Sequence, residues 1–253
     1  MTVRHWPRTL WLIRHGQSAG NVARDEATLA GLDRIALEHR DVDVPLSPLG
    51  EAQAQSLGQW FAGQPDQPEI LIASPYKRAV QTAQLFRDSG GAPQCEAVCI
   101  DERLREKEFG ILDGLTTRGI GIHHPEQAEF RSILGKFYHR APGGESWCDV
   151  ILRLRSLLDT ISLHHAGRDV MIVAHQVVVL CMRYILENMD EAAILAVDKQ
   201  ADVANCAITE YRFDPASGKD GKLELVRYNE TIALEEQAMP ITRSADQMVA
   251  ARG

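Results

Sequence analysis

The sequence has no Cys-x-x-Cys pair, no apolar run long enough to cross a bilayer, no internal repeat and no excess of positive charge. Each absence excludes a class of function. The five cysteines, Cys95, Cys99, Cys148, Cys181 and Cys206, are odd in number and have no His or Cys pair near them at finger-like spacing. A disulfide scaffold and a structural zinc site are thereby set aside, and free thiols in a reducing compartment are expected. The most apolar uncharged run, residues 170–182, is too short for a membrane span and contains His175. Arg4, Arg8 and a brief apolar stretch at 10–13 do not read as a signal peptide. A cytoplasmic protein is the expectation. Against 27 Lys and Arg stand 35 Asp and Glu, a net charge of −8, which disfavours nucleic acid and anionic membranes as partners because both select a basic face. A small anion remains an acceptable ligand, because a pocket can gather a few arginines locally.

What is present is an ordinary folded chain of 253 residues, 45 % apolar and 25 % charged, expected to form one domain over 1–253. Short apolar runs at 9–13, 69–73, 98–100 and 169–174 read as buried strands, and runs at 206–213 and 223–228 read as an edge hairpin. Helical patterns stand between them. Ser47-Pro48 and Ser74-Pro75 each place Ser at an N-cap and Pro at the first helical position. Ser146-x-x-Asp149 has the form of a capping box. Residues 176–187 make an apolar helix directly after a strand. Stretches 19–44 and 110–125 read as loop-like with room for short helices, and a helical insertion is expected over about 110–142. The tail after Glu235 has little periodicity and reads as extended or flexible. Strands alternating with helices give an α/β fold with a mainly parallel sheet.

The chemistry follows the strands. Arg14-His15-Gly16-Gln17 comes after the first, Ser74-Pro75-Tyr76-Lys77-Arg78 after the second, and His175-Gln176 after the run at 169–174. Ligands of open parallel sheets bind at the carboxyl ends of strands, so two arginines and two histidines are expected in one crevice. Arg78 falls in the first turn of a helix, where free N–H groups favour an anion. Arginine forks hold phosphate oxygens in pairs, and a neutral imidazole is a nucleophile toward phosphorus. A histidine after a strand is also commonly a packed residue, and this pattern by itself leaves both readings open.

Further segments carry a resemblance. Leu12-Ile13-Arg14-His15-Gly16-Gln17-Ser18 with Asn21, Leu46-Ser47-Pro48-Leu49-Gly50, residues 74–83, residues 104–110, Gly144-Glu145-Ser146 and Val173-Ala174-His175 together resemble the histidine phosphatase superfamily, also called phosphoglycerate mutase-like, over about 10–213. The resemblance implies a three-layer α/β fold and a metal-independent site without a cofactor. It implies that His15 becomes phosphohistidine and that Arg14, Arg78 and His175 surround the phosphoryl group. Asn21 and Gln17 would contact phosphate, and Glu106, rather than Glu108, would protonate the leaving oxygen.

His175-Gln176 and residues 138–146 are similar to the fructose-2,6-bisphosphatase branch. That comparison puts Arg140 against a distal phosphate and Gln176 on the substrate, although Gly143 stands where the branch tends to have lysine. A shorter segment between Glu106 and His175 and the absence of a mutase-like Gly after His175 favour a phosphatase. The alternatives are a cofactor-dependent phosphoglycerate mutase and a non-catalytic phospholigand-binding protein. His123-His124, His164-His165, Trp60 and Trp147 are read as surface or packing residues.

Overall fold

The computed structural model describes residues 6–244. Its sheet has six strands: β1 (Thr9–Arg14), β2 (Ile70–Ala73), β3 (Cys99–Ile100), β4 (Asp169–Ala174), β5 (Ile208–Asp214) and β6 (Lys222–Glu230). They lie in the order β3-β2-β4-β1-β5-β6, with β1, β2, β3 and β4 parallel and the β5–β6 hairpin antiparallel at one edge. The helices are α1 (Ala19–Leu29), α2 (Pro48–Ala62), α3 (Lys77–Phe86), α4 (Thr117–His123), α5 (Pro125–Tyr138), α6 (Trp147–His164), α7 (Gln176–Leu186), α8 (Glu191–Gln200) and the short α9 (Ile232–Glu235).

Strand side chains alternate between faces, and both faces are covered. Leu10 and Leu12 of β1, with Val170 and Ile172 of β4, pack under α6, α7 and α8. Trp11 and Ile13, with Met171 and Val173, pack under α2, α3 and α9. The result is the three-layer α/β fold with a mainly parallel sheet flanked by helices. The near-continuous apolar strands follow from burial on both sides. A small third cluster, Leu112, Leu115, Ile120 and Ala141, anchors the helical segment between β3 and α6.

Three local expectations need correction. The stretch 19–44 contains an eleven-residue helix, α1, started by a capping box in which Ser18 and Asn21 satisfy each other's backbone N–H groups. Its polar sequence lacks the apolar stripe by which a helix is recognised. Ser74 is not a helix cap: α3 begins after Tyr76, and the Ser74 hydroxyl faces His175 Nε2 at 2.8 Å. The tail is docked rather than free as far as Ser244. Gln237 donates to the Ser56 carbonyl at 2.7 Å, and Thr242 donates to Asn205 Oδ1 at 2.8 Å. These partners are remote in sequence, so no local periodicity announces them. The rest of the tail, like Arg4, lies outside the described residues.

Candidate active site

The carboxyl ends of β1, β2 and β4 bring His15, Arg14, Arg78 and His175 together, all at most 5 % exposed. The His15 and His175 rings meet edge-on with centroids 5.1 Å apart. Arg78 Nε donates to His15 Nε2 at 3.2 Å. A guanidinium only donates, so Nε2 carries the lone pair. The proton is then on Nδ1, which lies 2.7 Å from the Gly16 carbonyl oxygen. The main chain of His15 is pinned as well. Its N–H donates to Ala174 at 2.9 Å, and its carbonyl accepts from Asn205 Nδ2 at 2.8 Å. Glycine is required in this loop and at the helix facing it. A Cβ on Gly16 would lie 2.5 Å from the Gly50 carbonyl oxygen, and one on Gly50 would lie 1.9 Å from that of Gln17.

Arg78 is shared. Besides His15, it donates to Asp41 through Nη1 to Oδ1 at 2.9 Å, Nη2 to Oδ2 at 3.2 Å and Nη1 to the main-chain oxygen at 2.7 Å. Asp41 thus holds the fork in the way a phosphate would. Arg14 is fully buried and donates to Gln176 Oε1 at 3.2 Å, the Val203 carbonyl at 2.5 Å and the Ser244 carbonyl at 2.7 Å. Gln176 also donates to Asp202. Burial, followed by the charge of Arg78, pushes His175 well below the usual histidine range, so its ring is neutral.

Glu106 is 2 % exposed and its Oε2 lies 4.0 Å from His175 Nδ1. Glu108, two residues on, accepts from the Tyr76 hydroxyl at 3.0 Å instead. The Tyr76 ring packs edge-on against His175 at 5.1 Å, and the Arg78 guanidinium lies over the Tyr76 ring, 4.8 Å from its centroid. The backbone that carries Glu106 is braced by Arg153. That side chain forks onto Glu145 at 3.0 Å twice, and donates to the carbonyls of Arg103 at 2.5 Å and Glu106 at 3.3 Å. Glu145 also accepts from the Glu108 N–H at 3.1 Å. Arg78 and Glu106 line a cavity of about 160 Å³, together with Arg24, Arg40, Asp41 and Phe109.

Asn21 and Gln17 lie on the loop beside His15. Asn21 Oδ1 is engaged in the α1 cap and Gln17 Oε1 accepts from Ser47. Arg140 is not brought into the cup: its side chain is 63 % exposed and faces Asp149 at 3.6 Å. Ser74, Tyr76, Asp41, Asn205 and the Glu145–Arg153 pair were not singled out from the sequence. Of these, Ser74, Tyr76 and Glu145 had a signal, because they lie inside quoted motifs. Among the described residues no group of three or more His, Cys, Asp or Glu is placed to share a metal ion, and no helix is long and apolar enough to cross a membrane.

Known proteins are similar to this chain in sequence and in fold. A 6-phosphofructo-2-kinase/fructose-2,6-bisphosphatase of Caenorhabditis elegans is 30 % identical over 183 residues, which is 72 % of this chain but 35 % of that protein. The chain therefore spans about a third of the length of this bifunctional relative. A probable phosphoglycerate mutase GpmB of Yersinia enterocolitica is 29 % identical over 215 residues, covering 83 % of this chain and 88 % of its own. Among solved structures, the native mycobacterial glucosyl-3-phosphoglycerate phosphatase is 26 % identical with a TM-score of 0.67, covering 88 % of this chain and 99 % of that one. A family model for branch 1 of the histidine phosphatases matches residues 10–231, and on that match the chain belongs to the histidine phosphatase superfamily.

Proposed function

We propose that the protein is a phosphomonoesterase that hydrolyses a small phosphorylated metabolite through a phosphohistidine. The observation that carries this reading is the fixed tautomer of His15, with its Nε2 lone pair on the Arg78 side of the cup. Substrate phosphate displaces the Asp41 carboxylate from the Arg78 fork, and Nε2 turns to phosphorus. The N–P bond forms as the P–O bond to the leaving group breaks, and Glu106 gives its proton to the departing oxygen. Glu106, now a carboxylate, takes a proton from the water that attacks phosphohistidine. That step releases inorganic phosphate and restores the free imidazole. Arg78, Arg14 and neutral His175 balance the charge on the equatorial oxygens, which is where most of the rate enhancement arises. Gln17 and Asn21 complete the phosphate side, and Gln176 holds Arg14 in place.

The reaction in this scheme needs neither metal nor organic cofactor, so chelation by EDTA leaves the rate unchanged. The five cysteines, all unpaired, support a place in the reducing cytoplasm. Hydrolysis of p-nitrophenyl phosphate, with a phosphoryl label on His15 that is lost in acid and survives in base, tests the proposal. His15→Ala is expected to lose about 10³-fold or more in turnover and all labelling. Interconversion of phosphoglycerates with little phosphate release would replace it with a mutase, and phosphate binding without turnover would replace it with a phospholigand-binding protein.

A further inference from the structure

Tyr76 meets the cup with both its main chain and its ring. It is 4 % exposed and stands between Ser74 and Arg78 in the sequence. Its N–H donates to Ser74 Oγ at 3.3 Å, the same hydroxyl that faces His175 Nε2. Its carbonyl accepts from the N–H groups of Ala79 at 2.9 Å and Val80 at 3.1 Å and so begins α3. The ring packs edge-on against His175, with the two planes at 72°. The Arg78 guanidinium lies over the ring, a contact that gains strength where water is excluded. A phenylalanine would make all of these contacts equally well. The hydroxyl is the part of the side chain that packing does not call for.

That hydroxyl donates to Glu108 Oε1 at 3.0 Å. Burial, then the charge of Glu108, holds the phenol above its ordinary range, so it remains a donor at neutral pH. A hydrogen bond to a carboxylate is about twice as strong as one between neutral groups. Glu108 stands two residues after Glu106, and its main chain is held from the opposite side. Its N–H donates to Glu145 Oε2 at 3.1 Å, and its carbonyl accepts from the Glu145 N–H at 2.9 Å. The segment of Glu106 is thus gripped by Glu145 and Arg153 beside α6 and by Tyr76 at the start of α3. Glu106 Oε2 lies 4.0 Å from His175 Nδ1, too far for a hydrogen bond between the two to fix it. The reach of Glu106 into the cup therefore depends on where its segment is held. Proton transfer is sensitive to that reach, because a misplacement of about 1 Å can cost about a hundredfold in rate.

We propose that Tyr76 is a positioning residue: through Glu108 it ties the segment of Glu106 to the cup, at the distance from which the carboxyl protonates the leaving oxygen. The proposal rests on the phosphatase reading, in which Glu106 is the proton donor. It adds a residue that acts through Glu108 and not on the substrate.

The test uses two substrates of nearly one shape. From p-nitrophenyl phosphate the leaving group departs as a stable anion, whereas the phenolate of phenyl phosphate is more basic and draws more on a donated proton. Glu106→Gln supplies the reference, a loss in kcat that is greater on phenyl phosphate. Tyr76→Phe keeps the ring and removes the tie, and its loss in kcat is expected to be about fivefold greater on phenyl phosphate than on p-nitrophenyl phosphate. KM should move less than kcat on both, because the ring still packs on Arg78. Glu108→Gln keeps an oxygen for the phenol and is expected to lose less than Glu108→Ala. Tyr76→Phe combined with Glu108→Ala is expected to lose no more than the worse of the two alone. Losses that multiply in the double variant would show that the two side chains act separately, and would overturn the proposal. Equal losses on both substrates in Tyr76→Phe, beside a selective loss in Glu106→Gln, overturn the tie and leave the phosphatase reading standing. Equal losses in Glu106→Gln, or no hydrolysis by the wild type, overturn that reading and the tie with it.

Discussion

Arg78 serves two acceptors at once, His15 and Asp41, and in the proposed reaction its affinity for phosphate is set by what Asp41 concedes. Asp41→Asn removes the competing charge while keeping the shape. Inorganic phosphate is then expected to inhibit about tenfold more strongly, equivalent to roughly 1.4 kcal/mol, as read by competition against p-nitrophenyl phosphate. An unchanged inhibition constant would show that the carboxylate does not compete. The residues at strand ends were legible in the sequence because an arginine and a histidine at a strand terminus have one place to go. Asp41 was not, because nothing local says that a turn between α1 and α2 folds back over α3. Ser74 misled for a related reason: a Ser-Pro pair reads as a helix start, but a hydroxyl adjacent to a sheet's carboxyl end has a histidine within reach.

At the scale of elements, the segment that carries Glu106 has little regular structure of its own, only a short 3₁₀ turn at Glu102–Leu104. Its position is held by the Arg153 side chain from α6 and by Glu145 from the turn before it. Burial opposes ionisation of Glu145, but the hydrogen bonds and charge of Arg153 prevail and hold it below the ordinary carboxylate value of 4.5. A depressed folded-state value adds stability above the unfolded-state value, and that stability is lost as pH falls below it. The wild type is therefore expected to lose melting temperature below about pH 4.5. Glu145→Gln should be less stable at pH 7 and show a flatter acid limb. A melting series from pH 7 to 3 on both proteins checks this, and parallel curves would refute it. The helices around this segment were legible where they have an apolar stripe and a cap, as in α6 with Ser146 and Asp149. Helix α1 was not, because its start lies in the loop after His15 and its surface is polar.

At the scale of the whole molecule, the sheet could be read almost strand for strand, since β1 and β4 are apolar on both faces and only a covered parallel sheet tolerates that. The closure of the cup by the C-terminal segment could not be read. Thr242 bonds to Asn205 and Gln53, Asn205 holds the carbonyl of His15, and Ser244 holds Arg14. Thr242→Val breaks the first of these links. It is expected to lower the melting temperature by about 2–4 °C, the size of a 1 kcal/mol loss in a chain of this length. It should lower kcat severalfold with little change in KM, measured on p-nitrophenyl phosphate. A drop in melting temperature with kcat intact would confine this segment to a structural role. The same arrangement bears on the order in which the protein is completed during synthesis. The β1–β4 pair with α2, α3, α6 and α7 can assemble once residue 186 has emerged from the ribosome, but the guanidinium of Arg14 and the loop of His15 acquire their last anchors only when residues 242–244 follow. A nascent chain is then folded before the loop of His15, the proposed nucleophile, is steadied by residues 242–244.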